Sequence, residues 1–328
     1  MRVQVISDSN HGLGLSSRFS QSGHTVQAAN TFSPATNPDL VINLTQHRYD
    51  VGEKCKYLGP TLWSGALDSD QEYAQKIINM IGWKSGPITP GINIYFTSWF
   101  NGDATILSYA TILYRRLMAG GCGPDIGCAG SIALFDCLTD RTHETFLKPL
   151  ERILKRVSHQ GVFHIHAVAN SSTFYVKGVS TRIYHPLTLV ALENTNLAVA
   201  NVFLKTLDVT SRSLRPLDPV ASSVFLSAPP YPYQLTQQLP ALEVRGINPG
   251  SLKHLWLEDV YTNNGQYLLG SSGAIGHVTA RGATPQEAFR RIYKTVSNIS
   301  VPDIQYRNDV GRNINTLIES LRAQGWIT

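Results

Sequence analysis

Apolar positions recur along the 328-residue chain with two periods. Alternation, or a short unbroken apolar run, predicts strands over 3–7, 25–28, 40–44, 92–100, 106–117, 131–135, 161–169, 174–180, 220–227, 253–261, 267–270 and 274–281. Helical spacing predicts helices ending near 22, over 68–81, 140–158, 187–207 and 309–324, and from 285 to about 298. The helix over 140–158 carries Phe146, Leu147, Leu150, Ile153, Leu154 and Val157 on one stripe. The helix from 285 starts on Thr284-Pro285-Gln286-Glu287, a capping box with proline at the first helical position. Asn101-Gly102-Asp103 predicts a hairpin, 83–91 is a linker rich in breakers, and the composition breaks again over 210–219. The opening strand, turn, helix and strand are of the doubly wound kind.

The densest run of breakers is Gly120 to Ser131, with five glycines and a proline in twelve residues. It reads as a loop between two strands. Such a loop brings backbone N–H groups up to a ligand, or is only a long hairpin connection; both readings stand.

Composition narrows the classes. With 42% hydrophobic and 16% charged residues, the chain has the makings of a substantial core, and its length suggests two or three domains. Net charge is +5 and the isoelectric point is near 9.0, but the basic residues are scattered, with Arg115-Arg116 the longest cluster near the loop. Nucleic acid is therefore not an expected partner. No apolar run reaches the roughly 18 residues of a membrane span, and Met1-Arg2 leads straight into a strand pattern, so a cytoplasmic location is expected. Four cysteines without a C-x-x-C pair argue against zinc-ribbon and thioredoxin chemistry.

Candidate chemistry lies in four places. Gly12-x-Gly14 precedes a helix, but Ser17 stands where a dinucleotide fingerprint wants its third glycine, which leaves a small anion at the helix N-terminus. His164 and His166 share one face of a strand and form a metal pair, with His185 or His159 near, or a hydrogen-bonded pair. Arg182 is an anion clamp or an ion pair. Cys122 and Cys128 are reactive thiols or small buried fillers.

The motif order resembles glycinamide ribonucleotide synthetase (phosphoribosylamine–glycine ligase), an ATP-grasp ligase, in its archaeal and phage form. The resemblance rests on Ser98–Gly102, Gly123–Ser131, Arg182–Pro186, Pro229–Pro232, Leu255–Val260, Val278–Gly282 and Val301–Gly311, in order over nearly the whole chain. It implies an α/β protein: a Rossmann-like N-terminal domain (1–85), a truncated ATP-grasp half (86–210) and a C-terminal α+β domain (211–328). It also implies substrate contacts at Gly123, Pro124, Gly127, Gly130, Ser131 and Arg182.

The departures shape the expected function. The family's nucleotide-binding subdomain would have to fit within 83–91, a stretch that spans at most about 30 Å. Gly178 and Ser180 stand where the resemblance implies a glutamate and an asparagine that hold magnesium, and His164 and His166 replace an aspartate and an asparagine. The expectation is a catalytically degenerate relative without catalytic residues or cofactor. It would be retained for binding or assembly with a protein partner or a second copy, and would accept a small phosphate- or carboxylate-bearing ligand. If phage-encoded, it would accompany the virion. Two alternatives remain open: an active carboxylate–amine ligase using ATP and Mg²⁺ and completed by a partner subunit, or a metal-dependent activity on His164 and His166.

Overall fold

Val3, Val5 and Ile6 are almost wholly buried because β1 (Arg2–Ile6) is the interior strand of a small parallel sheet. The computed structural model describes residues 1–7, 12–45, 51, 55–58, 70–85, 91–170, 173–181, 183, 185–233 and 242–328. From β1 the chain enters α1 (Gly12–Gln21) and returns as β2 (Thr25–Ala29) beside β1. Next, β3 (Leu40–Asn43) pairs on the other side of β1, and β4 (Lys56–Leu58), absent from the sequence reading, extends it. The order is β2-β1-β3-β4. The helix α2 (Asp70–Ile81) then leads toward the second sheet, and Trp83 is anchored after it by Nε1–H donating to Thr145 O at 2.8 Å.

Eight antiparallel strands build the large sheet. They begin with β5 (Ile92–Phe100), β6 (Thr105–Met118) and β7 (Cys122–Phe135). A helical turn α3 (Asp140–Thr142), a π stretch (His143–Leu147) and α4 (Lys148–Arg156) follow. The chain continues through β8 (Gly161–Ala169), β9 (Phe174–Ser180), α5 (His185–Glu193), α6 (Val199–Thr206) and β10 (Val220–Ser227). It closes with β11 (Leu255–Leu257), the hairpin β12 (Val260–Asn263) and β13 (Gln266–Leu269), β14 (Ala274–Gly282), α7 (Pro285–Val296) and α8 (Ile314–Ala323). The sheet order is β11-β14-β10-β7-β6-β5-β8-β9, so one sheet runs unbroken from residues before 210 to residues after it.

Both faces of this sheet are covered. On one, Phe96, Phe163, Ile165, Ile132 and Val278 meet Phe146 and Leu150 of the helical segment before β8 and Ile292 of α7. On the other, Trp99, Tyr109, Phe135, Ala221 and Trp256 meet Leu189 of α5, Phe203 of α6, and Leu15 and Phe19 of α1. The small sheet docks here through α1. Phe19 stacks on Phe203 at 5.8 Å between ring centroids.

The glycine segment is not the expected loop. Only Ala119–Gly121 connects β6 to β7, and Gly123, Gly127 and Gly130 lie inside β7. Bulges explain this correction. The β6–β7 register slips between Tyr114 and Arg116 and again between Arg116 and Met118, and Gly123 (φ 76°) and Gly127 (φ 83°) take left-handed conformations that let the strand continue past each slip. The predicted strand over 253–261 is likewise divided, with β11 pairing β14 and β12 turning away to pair β13.

Candidate functional site

The pleat of β5 and β8 places Asn93, Tyr95 and Thr97 on the same face as His166 and His164. At the β6–β7 tip this face opens into a groove of about 970 Å³. Its walls carry Arg115, Arg116, Lys177, Arg307 and Arg312 against two carboxylates, Asp125 and Asp309. The groove is basic.

Local bonds fix its walls. Arg307 forks onto Asp309, with Nε to Oδ1 at 2.8 Å and Nη2 to Oδ2 at 2.7 Å. The Gly120 N–H donates to the same carboxylate at 2.8 Å, which ties the hairpin tip to the C-terminal segment. Arg307 also lies 5.2 Å over the Tyr114 ring. Arg115 Nε donates to Asp125 Oδ2 at 3.0 Å, the Gly127 N–H donates to Asp125 Oδ1 at 2.8 Å, and Arg116 Nη1 donates to Gly123 O at 2.7 Å. The Arg307 hydrogen bonds hold Asp309 below the usual carboxylate range. Burial works upward on Asp125, but the Gly127 N–H and then Arg115 outweigh it, and its pKa is also lowered. Both carboxylates are thus committed, while Arg312 has no carboxylate partner among the described residues.

His166 forms the floor. Its ring stacks on Tyr95 at 4.2 Å and 11°, and Nε2–H donates to Asn93 Oδ1 at 3.2 Å. The same oxygen accepts Lys177 Nζ at 3.1 Å, which assigns the Nε2–H tautomer. Burial, with Lys177 and Arg115 adding repulsion, pushes the His166 pKa down to about 4, so the ring is neutral near pH 7. Its neighbour on the strand, His164, is 3% exposed and meets Thr97 Oγ1 through Nδ1 at 2.9 Å.

The residues singled out from sequence divide into groups. Gly123, Pro124 and Gly127 lie in the first half of β7, flanking the groove residue Asp125, and are not themselves in the groove's lining. Gly130 and Ser131 are buried in the sheet. A Cβ on Gly130 would stand 2.7 Å from Val310 Cγ2, and Ser131 Oγ meets Ser223 Oγ at 2.7 Å. Gly12 opens α1, away from this groove, and a Cβ on Gly14 would stand 2.9 Å from Leu257 O, so Gly14 permits close docking of α1 on β11. Arg182 lies outside the described residues. Cys122 is exposed; Cys128 is buried, and burial pushes its thiol up to about 12. The sequence reading missed Lys177, Arg307, Asp309 and Arg312. Only Arg115-Arg116 gave a signal.

A magnesium–nucleotide fits these residues poorly. In the β8–β9 register Gly178 faces His166 and Ser180 faces His164, so no carboxylate projects from either β9 position. Among the described residues no group of three or more His, Cys, Asp or Glu stands ready for a metal ion. None of the described helices is long and apolar enough to cross a membrane.

The fold as a whole is of the ATP-grasp kind. A biotin carboxylase from Campylobacter jejuni, solved as a β,γ-ATP complex, matches with a TM-score of 0.58 at 8% identity over 92% of each chain. Pyruvate carboxylase of Rhizobium etli matches at 0.58 and 10%, over 96% of this chain and 37% of that one. The similarity then narrows to phosphoribosylamine–glycine ligase. The structure of that enzyme from Thermotoga maritima gives a TM-score of 0.71 at 14% identity, over 94% of this chain and all of the other. The Clostridium acetobutylicum phosphoribosylamine–glycine ligase is 23% identical over 234 residues, 68% of this chain and 54% of that protein. The chain thus matches about half the length of this curated relative. No family model matches the chain.

Proposed function

We propose that the protein is a phosphoribosylamine–glycine ligase-like binding protein. In this reading it has given up ATP-dependent ligation and keeps its basic groove for a phosphate- or carboxylate-bearing ligand. The observation that carries this is the pair Gly178 and Ser180 opposite His166 and His164. A hydrogen atom and a hydroxyl stand where ligation by the family's route needs a carboxylate and an amide oxygen for Mg²⁺, and phosphoryl transfer depends on that charge neutraliser. The ten residues from Gly82 to Gly91 that separate α2 from β5 are too few for a nucleotide-binding subdomain. The surplus of arginine and lysine around the groove favours an anion, with the tip glycines Gly120 and Gly121 as further contacts; Arg182, outside the described residues, is the contact that the family resemblance adds. Work by binding suits a protein partner or a second copy seated on this face.

The test is ligand-dependent stability and heat. A ligand that binds only the folded state raises stability by RT ln(1 + [L]/Kd). Mg²⁺–ATP at millimolar concentration is expected to leave the melting temperature unchanged. Ribose 5-phosphate or glycine is expected to bind by isothermal titration, more weakly in Arg312→Gln and Arg182→Ala. An upward shift with Mg²⁺–ATP that EDTA abolishes would return the chain to the active ligases. Absence of binding by both small ligands would leave the groove without the proposed role.

A further inference from the structure

A second cavity, of about 290 Å³, lies where α1 meets the large sheet, far along the fold from the hairpin tip. Its walls include Arg18 of α1, Glu193 at the end of α5, Lys253 and His254 before β11, Trp256 on β11 and Arg281 on β14. A chain of bonds fixes one wall. Trp256 Nε1–H donates to Thr279 Oγ1 at 2.9 Å, and Thr279 Oγ1–H donates to Glu193 Oε2 at 2.7 Å. The other Glu193 oxygen meets His254 Nδ1 at 2.8 Å. Arg281 is paired with Asp218.

Arg18 stands apart from this network. Its guanidinium lies 4.7 Å over the Trp256 ring, and none of its N–H groups has a hydrogen-bond acceptor among the described residues; Nη2 is fully buried. Glu193 acts on it through space, but both carboxylate oxygens are already engaged. Burial lowers its pKa, the direction expected of a cation whose water has been removed without replacement. A guanidinium has five donors in a planar fork, and leaving its buried Nη2 end unsatisfied is costly. Lys253, exposed at the rim, adds a second cation without a carboxylate partner among the described residues.

We infer that this cavity is a binding site for a small oxyanion, a carboxylate or phosphate group, held by Arg18 and Lys253 between the N-terminal sheet and the large sheet. Its volume is at the small end of the range for ligand pockets, which suits a compact metabolite rather than a nucleotide. Because its walls come from α1 and from β11 and β14, an occupant fastens the two sheets together. The site is independent of the hairpin groove, and neither reading rests on the other.

The test titrates the full-length protein with inorganic phosphate and with acetate at constant ionic strength, following the melting temperature. Wild type, Arg18→Gln and Lys253→Gln are compared. One of the anions is expected to stabilise wild type, with affinity about tenfold weaker in Arg18→Gln and severalfold weaker in Lys253→Gln. Preference for phosphate or for acetate identifies the source of the oxyanion. No stabilisation by either anion up to about 50 mM overturns the proposal, as does equal affinity in Arg18→Gln. If Arg18→Gln does not fold, Lys253→Gln decides: unchanged affinity there overturns it.

Discussion

His166 shows how a residue's neighbours set its chemistry. The sequence placed it with His164 on one strand face, and that pairing stands in β8. What the sequence did not show is that His164 is enclosed beside Thr97 whereas His166 lies over Tyr95 between Asn93 and Lys177. Those contacts come from adjacent strands, and a single strand's alternation carries no information about them. A pH dependence follows. His159, held by burial, and His166 both have pKa values near 4 in the folded chain, against about 6.5 when unfolded. Between those limits the unfolded state binds protons that the folded state refuses, so stability rises with pH. The contribution of the two rings is full above about pH 6.5 and is lost progressively as pH falls toward 4. In urea titrations across this range, His166→Gln is expected to reduce the slope of stability against pH by about one proton. An unchanged slope would show that His166 is already charged in the folded protein.

At the scale of elements, periodicity located most strands and helices but misread the glycine segment. Counting breakers treats each glycine as an interruption, whereas Gly123 and Gly127 absorb register slips within one continued strand. Gly130 is glycine for a different reason, the approach of Val310 and of Ser223 O to the place a Cβ would occupy. Gly130→Ala is therefore expected to cost about 1–3 kcal/mol by overpacking, read from the midpoint of denaturant unfolding. A neutral result would mean that the Val310 segment yields freely. Local signals did better where chemistry is local. Thr284 Oγ1 accepts the Glu287 N–H at 3.2 Å, and the Glu287 carboxylate accepts the Ala283 N–H at 2.9 Å, so the helix start read from the sequence is in place. Thr284→Ala should cost about 1 kcal/mol, and Thr284→Ser should recover most of it.

The assembly of the whole molecule was the least legible level. Arg307 and Asp309 meet the β6–β7 tip from nearly two hundred residues away, and no composition or period links them. The break in composition over 210–219 marks a change of sheet neighbour rather than a gap between cores. There the chain passes from α6 into β10, which inserts between β7 and β14. With β10 removed, β7 would lose one of the two strands that hold Gly130–Leu134, and β14 would lose its partner along most of its length. Segments on either side of 210 should therefore open together. Native-state hydrogen exchange on the intact chain checks this: amides of β7, β10 and β14 are expected to share one opening free energy, close to that of global unfolding. The edge strand β2, exposed along much of its length, should open more readily. A difference above about 2 kcal/mol between β7 and β10 would mean that residue 210 divides two separately unfolding bodies despite the shared sheet.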